Sequence, residues 1–325
     1  MTVRTVPTFT GEVMPQQLGM TLIHEHVFVM HPELDVNLPH PEWDEEQAIE
    51  RAVAGFERLH ALGVRTVVDL TVLGLGRDVE RVRRVAERSP VQLVASTGYY
   101  TSDVLPHFFR THGPGLLVGG EDPLVELFLG DIERGIAGTG IRAGMLKVAS
   151  DAEGITQDVA RVFRAAAIAH EQTGVPITTH SHAPSRGGLE QQDLLERLGV
   201  PLDRVVIGHS GDSEDLDYLR ELAARGSFLG FDRFGMEHMG SDETRIRNLL
   251  ALIEEGYTGQ IVVSHDAAFF SRVTPPSWRA ATTPNWHMEH LSRAILPRLR
   301  SEGLDDATIE QLMRHNPRRV LCGDD

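Results

Sequence analysis

Two side chains are almost missing from this sequence. Among 325 residues there is one cysteine, Cys322, and one lysine, Lys147. A single thiol excludes an internal disulfide and a zinc site built from cysteines. Positive charge is also short: 31 Lys+Arg stand against 47 Asp+Glu, a net charge of −16. Such a balance repels phosphate backbones and anionic bilayers, so no nucleic-acid and no membrane partner is expected. No apolar run approaches the ~20 residues of a membrane span. The opening MTVRTVPTFTGEVMP lacks the apolar core of a signal peptide, and no G-x-G-x-x-G or Walker-type run offers a phosphate cradle. These absences predict a soluble, cytoplasmic protein. The scarcity of lysine fits a coding bias toward arginine. The surviving Lys147 nevertheless sits in the apolar run GMLKVAS, where a long cation is costly to bury. Chemistry closed to arginine explains it better, since a primary amine can lose its proton and react.

Eight short, nearly continuous apolar runs recur along the chain, at residues 21–27, 65–71, 91–96, 144–149, 175–180, 204–209, 227–232 and 260–265. Runs of this kind mark strands buried on both faces of a parallel sheet. Between and after them lie helical stretches at 44–62, 77–89, 123–137, 156–173, 189–198, 213–224, 242–255 and 286–301. Thr156 reads as an N-cap, and Gly174 and Gly226 as stops. Eight strands with eight crossover helices predict an α/β fold, a (β/α)8 TIM barrel, formed by residues 1–325 as a single domain.

Barrel enzymes work at the C-terminal ends of their strands. There this chain places His24-Glu25-His26, Lys147, His180-Ser181-His182, His209 and His265-Asp266. His24 and His26, two apart on a strand, point to one face while Glu25 points away. Converging imidazoles suit a divalent transition metal. His180 is preferred to His182, which falls beyond its strand. Asp266 is preferred to its neighbour His265, because both cannot face the axis and a carboxylate serves both ligation and proton transfer. Four histidines and one aspartate are too many for one tetrahedral zinc and few for two. A neutral Lys147 amine can add carbon dioxide, and the resulting carbamate can bridge two metals roughly 3.5–4 Å apart with a hydroxide between them.

The ordered segments GMTLIHEHVFV, TVVDLTVLGLGRD, GIRAGMLKVA, THSHA, VVIGHSGDS, GFDRFG, VVSHDA, TPNWHMEHL and NPRRVL resemble the phosphotriesterase-like lactonases of the amidohydrolase superfamily, over about residues 10–320. The resemblance implies that His24, His26 and Asp266 hold a buried metal. His180 and His209 would hold a more exposed one, with carboxylated Lys147 bridging. In relatives the two divalent ions are zinc, iron, cobalt or manganese. It further implies that Tyr100, rather than Tyr99, lies over the metals, and that Arg233 lines the pocket mouth; a surface ion pair of Arg233 with Asp232 or Glu237 is the competing reading. The expected substrate is a small-molecule lactone, with an N-acyl-homoserine lactone foremost, and the expected assembly a homodimer. The bridging hydroxide would attack the carbonyl and Asp266 would relay the proton. A dedicated phosphotriesterase or another ester hydrolase is the alternative. In the segment 267–284, Phe269, Phe270 and Trp278 would either wall an acyl channel or pack against the barrel rim or a partner. The usual cysteine two residues after the metal aspartate is replaced by Ala268.

Overall fold

The computed structural model describes residues 5–323. All eight apolar runs form strands: Met20–Val29, Val64–Asp69, Gln92–Gly98, Ala143–Ala149, Ile177–His180, Val205–Ile207, Phe228–Phe231 and Ile261–Val263. They are called here the first to the eighth strand. Each is parallel to its neighbours and they pair in chain order. The fourth strand is buried at every position, as expected of a strand covered on both faces.

The ring closes through a ninth segment, which lies within the stretch 267–284 and carries no strand period of its own in the sequence. Ala268–Ser271 pairs parallel with the first strand, Ala268 opposite His26. It continues the eighth strand after a kink at Asp266, whose φ is 53°. At the kink the Asp266 amide donates to the His24 carbonyl at 3.0 Å, and the His26 amide to the Ala267 carbonyl at 2.8 Å. The buried Glu25 carboxylate clamps the same seam. It accepts from Ser264 Oγ at 2.7 Å, His265 Nδ1 at 2.5 Å and the Ala267 amide at 2.9 Å. The architecture is therefore a closed (β/α)8 barrel.

The helices start where the capping chemistry places them. Asp44 caps Glu45–Ala61, and Thr156 caps Gln157–Thr173, which ends on a left-handed Gly174 at φ 66°. The last expected helix departs from plan: Leu291–Ile295 winds as a π-turn before Leu296–Ser301. Pro297 has no N–H to close an α-turn there, and Pro317 follows a second π-turn, Gln311–His315, for the same reason. A small hairpin, Val6–Thr8 with Gly11–Val13, was too short to leave a readable period. Inside the barrel, Ile23, Val68, Val94, Met145, Val206, Phe228 and Val262 form one apolar cluster with Val6, Leu18 and Val320. The larger apolar shell lies between strands and helices. The polar ends of the strands are left free to converge above that inner cluster.

Candidate metal centre

The six residues read as metal ligands come together at one end of the barrel. His24, His26, Lys147, His180, His209 and Asp266 all line one cleft of about 320 Å³. The second nitrogen of each imidazole fixes its orientation. Asp232, at the end of the seventh strand and 1% exposed, lies 2.6 Å from His24 Nδ1 and 2.9 Å from His209 Nδ1. Burial, then Lys147, lowers the His24 pKa; burial lowers His209 well below its ordinary value. Burial alone would raise Asp232, but the two imidazoles hold it well below the carboxylate range. Both histidines are thus neutral, donate from Nδ1 to an ionised Asp232, and turn the Nε2 lone pair to the centre. His209 does so from a left-handed backbone at φ 60°.

His180 is held the other way round. Its Nε2 lies 3.3 Å from Asp151, and burial lowers its pKa to about 4. His26 is oriented by a relay: Nδ1 lies 2.9 Å from Thr71 Oγ1, which donates to Asp69 at 2.6 Å.

These commitments leave acceptors facing acceptors. His180 Nδ1 and His209 Nε2 are 2.9 Å apart, each a lone pair with no proton of its own to share. His26 Nε2 faces Asp266 Oδ1 at 3.1 Å, and His24 Nε2 faces the same oxygen at 3.5 Å. The Asp266 carboxyl is raised by burial but held well below its usual range by His24, His26, His209 and Arg233. A cluster of neutral nitrogens around an ionised carboxylate is the donor chemistry a divalent cation fits. His24, His26 and Asp266 offer donor atoms within 4.8 Å of one another. A second such grouping, His24, His209 and Asp232, uses the nitrogens that Asp232 already holds, so it orients rather than ligates.

Lys147 is 1% exposed. Its Nζ lies 3.2 Å from His24 Nε2 and 3.1 Å from the Thr179 carbonyl, and burial pulls its pKa down to about 8. The amine is therefore reactive near neutrality and points at the ligand cluster.

The remaining expectations resolve as follows. Tyr100 lines the cleft and sets its ring edge-on to His180 at 5.4 Å, whereas Tyr99 packs on Phe109. Burial pushes the Tyr100 phenol up to about 12, so it stays a neutral donor. Arg233 is not on the surface: Nε donates to Asp266 at 3.0 Å and Nη1 to Asp212 at 2.9 Å. His182 turns away to Ser185. His265 is structural, held by Glu25 and accepting from the Leu291 amide at 2.9 Å. Phe269 and Phe270 pack outward on Phe56 and Trp43, so the rim reading holds for them and they do not wall the cleft. The wall is instead apolar through Leu75, Met236, Met239, Val273 and Trp286. The sequence reading missed Asp232, Thr71, Asp69 and Asp212 as site residues. Their signal was weak: Asp69, Thr71 and Asp232 lie at the C-terminal ends of apolar runs, and Asp212 stands three residues after His209.

The match to known proteins is extensive. The model of the Phosphotriesterase family matches residues 4–321. A phosphotriesterase homology protein of Mycobacterium tuberculosis (strain CDC 1551 / Oshkosh) is 43% identical over 97% of this chain and 96% of its own length. An aryldialkylphosphatase of Saccharolobus solfataricus is 37% identical over 94% of this chain and 96% of its own. The solved structure of the phosphotriesterase from Mycobacterium tuberculosis superimposes with a TM-score of 0.95 at 42% identity, covering 98% of both chains.

Proposed function

This chain belongs to the phosphotriesterase family of hydrolases, and from that premise we propose that it hydrolyses lactones, with N-acyl-homoserine lactones as the leading class. His24, His26 and Asp266 would hold one divalent ion, His180 and His209 the other, with carboxylated Lys147 between them. When bound, the ions supply Lewis-acid activation of the electrophile and of the attacking water. The chain's own residues do the rest. Asp232, Asp151 and Thr71 keep each imidazole in its ligating tautomer. Asp266, ionised and touching both the histidine cluster and Arg233, is placed to accept the proton released on attack. Arg233 and Asp212 continue that contact outward, and Tyr100 offers a neutral hydroxyl over the cleft.

The observation that carries the lactone reading is the wall: Leu75, Met236, Met239 and Trp286 line the same cleft as the donor atoms. It suits one long alkyl or acyl arm. The segment between the seventh strand and the helix Asp242–Glu254 is short and itself supplies Met236 and Met239 to that wall. A phosphotriester as the main substrate is the second reading, favoured by the activity named for the Saccharolobus relative. The proposal includes a homodimer and a cytoplasmic location; among the described residues no helix is long and apolar enough to cross a membrane. The test is a paired assay on metal-analysed protein with an N-acyl-homoserine lactone and a chromogenic phosphotriester. A lactone kcat/KM higher by ~100-fold or more supports the proposal. A triester preference replaces it with the second reading.

A further inference from the structure

Behind the cleft wall lies a second chamber of about 240 Å³. It shares Ala268, Arg279 and Trp286 with the cleft and is otherwise lined by Leu59, Phe269, Pro276, Met288 and their neighbours. Its exposed lining residues, Ala280, Pro284 and His287, put its mouth on the outer surface. The lining mixes its apolar side chains with Arg58, His287 and Glu289, and two buried polar atoms of its lining residues have no hydrogen-bond partner. Arg279 is 8% exposed; it donates once, from Nη1 to the Ala268 carbonyl, and its guanidinium stands 5.6 Å from the Trp286 ring. Its Nε is buried without a hydrogen bond, as is Oγ1 of the 2% exposed Thr283. Among the described residues no carboxylate forms a salt bridge with Arg279. The nearest chamber acid, Glu289, is taken by Arg58 and Arg293, each at 2.7 Å.

A buried cation with no carboxylate in direct contact is costly; Glu42, itself bonded to Ser277, acts on Arg279 only from a distance. We infer that the chamber is a binding site for a short-chain carboxylate, whose oxygens pair with Arg279 and Thr283 while its alkyl chain lies on Phe269, Leu59 and Met288. Guanidinium and hydroxyl donors at one end and an apolar lining at the other match that amphipathic shape. Because the mouth faces outward, the ligand arrives from solvent and not through the cleft. It meets the cleft through Ala268, Arg279 and Trp286, so its occupancy would press on the wall that faces the substrate.

The test is isothermal titration of the metal-loaded protein with hexanoate and with hexan-1-ol, which needs no turnover and so stands or falls apart from the lactonase proposal. Hexanoate is expected to bind and hexanol not. In Arg279→Met the hexanoate Kd is expected to rise about tenfold or more, the loss of a charged hydrogen bond; Arg279→Lys, which keeps a cation, should retain part of the affinity. Ala280→Leu narrows the mouth without touching the cation and should weaken hexanoate while leaving metal content unchanged, a readout that remains if Arg279→Met does not fold. Equal binding of hexanol, or hexanoate affinity unchanged in a folded Arg279→Met or in Ala280→Leu, overturns the inference: the orphan atoms then hold water, or the carboxylate sits on the metals.

Discussion

Lys147 shows how a single residue can be decided by what its surroundings do to its proton. The arginines on the outer helices do ordinary surface work, Arg84 and Arg88 pairing with Glu45, Glu46 and Glu50. Lys147 instead donates to the Thr179 carbonyl and lines the cleft, with no salt bridge among the described residues. With its pKa lowered by burial to about 8, the neutral, carbon-dioxide-reactive amine is the minor form at pH 7 and the major one at pH 9, at about a tenth and nine-tenths respectively. The direction follows from the sign: a depressed ammonium pKa brings the neutral form in as pH rises. Metal-free protein given bicarbonate and zinc is therefore expected to regain activity faster as pH is raised from 7 to 9, followed by discontinuous assay. Lys147→Arg keeps the charge and cannot form the carbamate, so it should lose metal and activity together. Two metals per chain in that variant would remove the bridging role.

Elements are held to the site by tight backbone contacts as much as by side chains. Gly98, at the end of the third strand with φ 142°, lies so close to the fourth strand that a Cβ would stand 1.8 Å from the Lys147 carbonyl oxygen. Gly98→Ala must push the Lys147 backbone aside; a destabilisation of about 1–3 kcal/mol and reduced metal content are expected, read by thermal melting and metal analysis. A melting temperature and metal content equal to the parent's would show that the strand gives way without cost. The same scale explains what the sequence made legible. Runs such as GMLKVA and VPITTH announced their strands because burial on both faces demands apolar side chains throughout. The candidate ligands at their ends were read from strand-end position together with residue type. Asp232 and Thr71 did not follow, because an orienting carboxylate or hydroxyl carries no spacing rule and is recognised only by which nitrogen it touches. The segment Ala268–Ser271 was hidden by the kink at Asp266, which breaks the eighth strand in two. Phe269 and Phe270 then point where a loop reading cannot place them.

For the whole molecule, the centre is a tie between distant parts of the chain. Its donors come from the first, fourth, fifth and sixth strands and from the kink after the eighth, so ions bound there would hold half the barrel together. Ligand binding to the folded state alone adds stability in proportion to the logarithm of occupancy. Removal of metal with a chelator is expected to lower the melting temperature by at least ~5 °C. Recovery on adding metal should be complete only with bicarbonate present. An unchanged melting curve after complete demetallation would mean that the barrel is indifferent to its centre.

The clamp made by Glu25 also sets an order of events during synthesis. The carboxylate at residue 25 waits for partners 239 to 242 positions later in the chain, and His24 and His26 wait equally long for Asp266. At about 5–20 residues per second, a ribosome needs roughly 10–50 s to make the intervening stretch. Through that interval the growing chain carries two histidines on a strand whose second edge is still open, its other edge pairing with Val64–Asp69. A metal held by these residues would find its full donor set only once translation is nearly finished, and the first barrel strand made is the last to be closed.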